Sequence, residues 1–192
     1  MAMWDRIKDQ AKGLQQQAQG ARGSGGGHGQ PGAGAGSGSG SGAGGGSKAQ
    51  LVGVVKSQLA SLKAELKSGA YRDASMAMCA LVAAADGSVD PAERQHVESL
   101  ILQNDVLRNF PPEQLQQRFN KHVDRLTSNF QQGKAEALQE IAKAAKKPVE
   151  AKAVVQIGFV IAGADGYMAP AEEQVLREAC TTLGMSPQVF GL

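Results

Sequence analysis

Asp86, Asp90 and Glu93 fall within eight residues, and Asp165 and Glu172 repeat two of them 79 positions further on. The segment from Ala83 to Gln95 lies over that from Ala162 to Gln174 with eight of thirteen positions identical, including Asp86/Asp165, Gly87/Gly166, Pro91/Pro170 and Glu93/Glu172. An aspartate, the open carbonyls of a helix end and a glutamate from the next helix make an all-oxygen donor set. Hard divalent ions such as Ca²⁺ and Mg²⁺ take such ligands. The spacing is not that of an EF-hand, whose loop needs oxygen ligands at 1, 3, 5 and 12 with Gly at 6. Here Gly87 follows Asp86 directly and Glu93 comes seven residues later. An ion held by one such turn alone would be incompletely coordinated and weakly bound.

Much of the motif also has a plain structural reading. Gly87 and Gly166 suit a left-handed helix end, and Pro91 and Pro170 suit the first helical position. Asp90 is a good N-cap, and Glu93 three residues later completes a capping-box pattern. Asp86 and Asp165 fit less well. They come at the C-terminal end of a helix, where the macrodipole disfavours an acid by ~0.3–1 kcal/mol. The second copy also keeps its acids while Ala169 replaces the cap residue Asp90. Either a cation compensates these charges, or each aspartate accepts hydrogen bonds from the N–H groups that follow it.

The elements that must position these residues all read as helices. Leu51, Val55, Leu59, Leu62 and Leu66 form a helical stripe ended by Gly69, and Ala74–Ala85 is apolar on every side. The turn Gly87–Asp90 leads to a helix over Pro91–Leu102. A helix opened by Pro111–Pro112 turns Leu115, Phe119, Val123 and Leu126 inward. Ala135, Leu138, Ile141, Ala142 and Ala145 mark the next, and Val149–Ala164 is a second helix apolar all round. Pro170–Leu183 follows, with Gly184 in the C′ position. The expected fold is all-α: a single bundle of about seven helices over residues 48–192, built from two pseudo-symmetric halves.

Upstream, 15 of the 25 glycines lie between Gly20 and Gly46. So Gly/Ser-rich a tract, here residues 20–47, is expected to be a flexible linker, because it cannot bury enough apolar surface to offset its ordering entropy. Before it, residues 1–19 read as a short amphipathic helix. Trp4, Ile7, Ala11, Leu14 and Ala18 lie on one stripe, a face for a partner helix, the bundle or a membrane surface.

Several function classes drop out. Residues 1–50 carry +3 and residues 51–192 carry −1, which gives the bundle no concentrated basic face for nucleic acid. The longest apolar runs are about a dozen residues, short of the ~20 a bilayer requires, and no apolar core of a signal peptide appears near the N-terminus. Cys79 and Cys180 sit in apolar helical runs without zinc spacing. His96 shares a helix face with Glu93, but its counterpart is Val175; His122 sits among Lys121, Asp124 and Arg125 as if on a solvated face. No nucleophile has a plausible base, so the expected protein is not an enzyme.

At these residues the sequence resembles the tellurite-resistance TerB family. The likeness runs from about Tyr71 to Leu192. It includes Met78-Cys79-Ala80 before Ala85-Asp86-Gly87, the second turn Ala164-Asp165-Gly166, and the ending from Leu183-Gly184-Met185-Ser186-Pro187 to Phe190-Gly191-Leu192. The resemblance implies an all-helical domain with two similar halves whose acidic residues bind divalent metal, with Asp86, Asp90, Glu93, Asp165 and Glu172 as the candidate ligands. It further implies a cytoplasmic, non-enzymatic adaptor peripheral at the inner face of the membrane. The implied partners are TerC-like integral membrane proteins and TerD-like proteins, in a bacterial response to tellurite and other stresses. Ala169 departs from the acidic or polar residue often found there, which weakens the second site unless Glu173 substitutes.

Overall fold

The computed structural model describes residues 45–192. The amphipathic segment expected over 1–19 and the glycine-rich tract as far as residue 44 lie outside the described residues. Among the described residues seven α-helices follow one another: α1 Gly45–Ser61, α2 Gly69–Ala83, α3 Pro91–Gln103, α4 Pro112–Ser128, α5 Phe130–Ala142, α6 Pro148–Ala162 and α7 Pro170–Thr182. Short 3-10 turns occupy Leu107–Asn109, Lys143–Lys146 and Pro187–Phe190. They pack as one all-α bundle, and no strand occurs among the described residues.

The bundle is organised around α2 and α6. Every residue from Ala74 to Val82 is buried, as is every residue from Ala153 to Phe159. A helix apolar on all sides is stable only when other helices surround it. Accordingly α2 packs on α4, α5, α6 and α7, while α6 packs on α1, α2 and α7. Small residues let these helices approach closely. A Cβ on Gly158 would lie 2.6 Å from Met78 Cγ and 2.9 Å from Leu176 Cδ2.

The outer helices are ordinary amphipaths. Leu115, Phe119, Val123 and Leu126 of α4 are all buried, as their spacing predicts. The inward face of α5 differs from the expected one. Gly133, Ala137 and Ile141 point in, continued by Ala144, whereas Ala135 and Ala145 are exposed. Gly133 explains the rotation, since a Cβ there would sit 2.6 Å from the backbone nitrogen of Leu126. The face without a side chain is the one that can meet the backbone of α4.

The first stripe is also revised. α1 ends at Ser61, and Leu62–Leu66 form a turn rather than more helix. Leu59 and Leu66 are buried while Leu51 is 44% exposed. Helical spacing persists across the turn because Asn109 Nδ2 donates to Lys63 O (2.7 Å) and Leu66 O (3.1 Å), which fixes the turn with Leu66 inside. Gly69 opens α2 instead of closing α1. Its N-cap is Ser68, whose hydroxyl accepts from Tyr71 N at 3.1 Å. No helix among the described residues is long and apolar enough to cross a membrane.

The close crossing of α4 and α5 gives a direct test. Gly133→Ala should cost about 1–3 kcal/mol, as overpacking against backbone does. Gly53→Ala, where a Cβ meets nothing within 4 Å, should leave stability unchanged or raise it by about 0.5–1 kcal/mol. Paired denaturant melts read both.

Candidate functional site

Each central helix runs into a turn of the same local design. Ala84 caps α2 and Gly163 caps α6, so Asp86 and Asp165 each lie two residues past the cap. Gly87 (φ +92°) donates to Ala84 O at 2.8 Å, and Gly166 (φ +82°) donates to Gly163 O at 3.0 Å. A side chain is strained at such φ values, hence glycine at both positions. Asp86 Oδ1 accepts from Ser88 N (3.1 Å) and Ser88 Oγ (3.3 Å), and Asp165 Oδ1 accepts from Tyr167 N (3.0 Å). These are Asx turns, in which an aspartate bonds to the backbone two residues on. The conflict with the helix dipole is therefore smaller than the sequence suggests: both acids stand outside the helix and are met by amides.

Helices α3 and α7 then open in parallel fashion. Asp90 Oδ1 accepts from Ala92 N and Glu93 N, both at 2.8 Å, while Glu93 Oε2 accepts from Asp90 N at 3.0 Å, a complete capping box. At the second turn Glu172 Oε2 accepts from Ala169 N at 2.6 Å. Only this half of the box exists there, because alanine has no side-chain acceptor. Ala169 nevertheless holds the extended conformation of an N-cap (φ −71°, ψ 151°), close to that of Asp90 (φ −77°, ψ 160°).

The two glutamates are buried, Glu93 at 6% exposure and Glu172 at 7%, whereas Asp86 and Asp90 are exposed and Asp165 is half-buried. Burial raises the proton affinity of Glu93. The Asp90 amide opposes that rise, and the neighbouring carboxylates of Asp90 and Asp86 add to it. Two further acids of the first turn thus weigh on Glu93. The second turn carries Asp165 and Glu172 with alanine in place of the third.

The donor chemistry of the first turn suits an oxygen-loving divalent ion, and the second turn is poorer by one carboxylate. A ready-made cage is another matter. Among the described residues no three His, Cys, Asp or Glu side chains converge as a metal cluster. Asp86, Asp90 and Glu93 each commit an oxygen to the backbone. His96 is half-buried on α3, beyond Glu93. Glu173 is half-buried and its Oε2 lies 3.6 Å from Arg177 Nη2, so it pairs along its own helix.

The cysteines do not offer nucleophiles. Burial pushes the Cys79 thiol up to about 12 and the Cys180 thiol up to about 11, far from the thiolate form at neutral pH. His122 departs from the solvated face expected of it. It is half-buried beside a cleft of about 490 Å³ lined by Asp73, Gln117, Arg118, Lys121 and Glu140. No sequence pattern signals this cleft, because its lining comes from the polar sides of three separate helices.

Two fully buried central helices, each delivered by an Asp-Gly turn to a helix opened by a buried glutamate, define an all-helical module with paired acidic turns. The family model described as tellurite resistance protein TerB matches residues 72–192, and the chain belongs to that family. The matched stretch contains both turns, five whole helices and α2 from its fourth residue on, with α1 lying ahead of it. Comparison with curated proteins found no match, and neither did comparison with solved structures.

Ala169→Asp should supply the missing cap of α7 and raise stability by about 1 kcal/mol in thermal melts. Glu93→Gln separates charge from hydrogen bonding at the first turn. A raised carboxyl in the fold favours the protonated native state, so Glu93 weakens folding as pH rises through the carboxylate range. Glutamine keeps an acceptor for Asp90 N without the charge. The stability of Glu93→Gln relative to the parent should therefore climb from acid to neutral pH, as read by urea melts across that range.

Proposed function

We propose that the protein is a non-enzymatic adaptor in tellurite resistance and stress response whose first acidic turn takes a divalent cation. The observation that carries this reading is the electrostatic burden on Glu93, whose proton affinity is raised by burial and by the carboxylates of Asp90 and Asp86 in the same turn, although the three form no ready-made cage. A cation there relieves both costs. Asp86 and Asp90, which are exposed, and Glu93 would hold it, with water completing the shell of a hard ion such as Ca²⁺ or Mg²⁺. Asp165 and Glu172 form the weaker counterpart, since Ala169 contributes no oxygen. The ion would supply charge neutralisation and a bridge between the end of α2 and the start of α3.

Family membership supports the setting, and the partners follow as part of the proposal. TerC-like integral membrane proteins and TerD-like proteins would recognise the module, which carries no spanning helix of its own among the described residues. The module would then work in the cytoplasm at the inner face of the membrane.

A second reading has its own observation. Every acid in the two turns accepts a backbone N–H, and Asp90 and Glu93 form a full capping box, so the acids can serve the fold alone. Calorimetric titration of the full chain with Ca²⁺ and with Mg²⁺ separates the two. On the metal reading, ion at about a hundred times its Kd stabilises the fold by about 2.7 kcal/mol, and Asp86→Asn with Asp90→Asn abolishes both heat and stabilisation. On the capping reading no ion gives heat, and the same substitutions lower stability in metal-free buffer.

A further inference from the structure

The cleft between α2, α4 and α5 is independent of the acidic turns. It has a volume of about 490 Å³, within the ~300–1,000 Å³ of small-molecule sites. Asp73 of α2, Gln117, Arg118, Lys121 and His122 of α4, and Glu140 of α5 line it. The α4 members form two pairs at i, i+4, Gln117/Lys121 and Arg118/His122, on the flank of the buried stripe.

The charges are unequally committed. Asp73 is clamped by two guanidinium groups, Arg72 Nε at 2.7 Å and Arg118 Nε at 2.5 Å, and Arg72 Nη1 also donates to Gln114 Oε1 at 2.7 Å. Burial would raise the Asp73 carboxyl, but the bonds and charges of Arg72 and Arg118 hold it below the usual carboxylate range. Glu140 is paired with Lys143 Nζ at 2.8 Å. Both carboxylates of the cleft are thus already neutralised. Among the described residues, the side chains of Lys121, His122 and Gln117 have no hydrogen-bond or ion-pair partner. The lining carries Arg118 and Lys121 against Asp73 and Glu140, and both carboxylates are already paired, Asp73 with Arg72 and Arg118 and Glu140 with Lys143, which leaves the Lys121 ammonium as the uncommitted charge of the cleft.

We infer that this cleft is a binding site for a small organic or inorganic anion, of the phosphate or carboxylate class, held by Lys121 and His122. Arg118 forms a fixed wall through its clamp to Asp73. Gln117 supplies a neutral donor and acceptor for the remainder of the ligand. Such hydrogen bonds to an ionised acceptor are the strong kind, worth roughly twice a neutral pair.

His122 adds a proton-linked feature. Its burial lowers its proton affinity, Glu140 opposes that, Lys121 adds to the lowering, and Glu136 and Asp73 oppose it. Of the facing acids, Glu140 is paired with Lys143, Glu136 lies 3.7 Å from Arg125, and Asp73 is held by Arg72 and Arg118. An anion in the cleft would favour the imidazolium, so binding takes up a proton and strengthens as pH falls.

The test is NMR titration of the full chain with inorganic phosphate, and separately with citrate, at pH 6 and pH 8, following the imidazole resonances. The expected result is a saturable shift of His122, with His96 unmoved, stronger at the lower pH. Lys121→Gln should weaken binding about tenfold with the thermal melt unchanged, and Lys121→Arg should restore it. Saturation by phosphate but not citrate assigns the phosphate class, and the reverse assigns the carboxylate class. Absence of a saturable His122 shift with either anion overturns the inference. So does binding that Lys121→Gln leaves intact. Metal titration at the acidic turns reads neither result, so the two proposals fail separately.

Discussion

The rest of the structure depends on burying α2 and α6 on all sides at once. From Ala74 to Val82 and from Ala153 to Phe159 neither helix has a polar face to leave in water, so the other five described helices must enclose these stretches, and the small residues of both set how closely this occurs. Gly158 is the clearest instance, with its missing Cβ occupied by Met78 and Leu176. Enclosure also fixes where the chain must leave the core. Each central helix emerges at its C-terminal end, reverses through a left-handed glycine, and starts an outer helix at once. The acidic turns are the two places where a buried helix is handed to a half-exposed one.

That handover explains why glutamate appears twice in a buried position. Past Gly87 and Gly166, no backbone carbonyl among the described residues receives the N–H groups of Ser88, Asp90, Tyr167 or Ala169. Glu93 and Glu172 reach back to do so, and the Asx bonds of Asp86 and Asp165 receive another pair. An unmade hydrogen bond at a buried group costs about 1–3 kcal/mol, comparable to the penalty of holding a charge there. The first turn also has Asp90 and so pays for a better cap with greater repulsion. The second dispenses with both. The two turns are thus alike in geometry and unequal in charge, which is why a cation is proposed for the first and only a weaker counterpart for the second.

What could be read from the sequence followed physical scale. The central helices were legible because uninterrupted apolar sequence of that length has few alternatives, and α4 because Leu115, Phe119, Val123 and Leu126 keep strict period. The face of α5 was not, because Gly133 counts as neutral in any apolar stripe although it makes the closest approach to α4. The end of α1 was hidden by Leu62 and Leu66, which stay inside a turn that preserves helical spacing. The repeat singles out Asp86, Glu93, Asp165 and Glu172, and the capping pattern adds Asp90, but the bonds that these acids make are decided by single torsions and do not follow from either. The polar cleft around His122 was invisible for another reason. Its residues belong to α2, α4 and α5, and each of those faces, taken alone, looks like ordinary solvated helix.

Each buried glutamate locks its turn by accepting an amide that has no other receiver among the described residues. Amide hydrogen exchange at Asp90 and Ala169 tests it most directly, since these N–H groups donate to Glu93 and Glu172 and lie ahead of the helices rather than within them. Protection at both amides should be close to that of the first helical turns behind them, and should be lost at Asp90 alone in Glu93→Ala. Exchange at the rate of an open loop in the parent chain would contradict it.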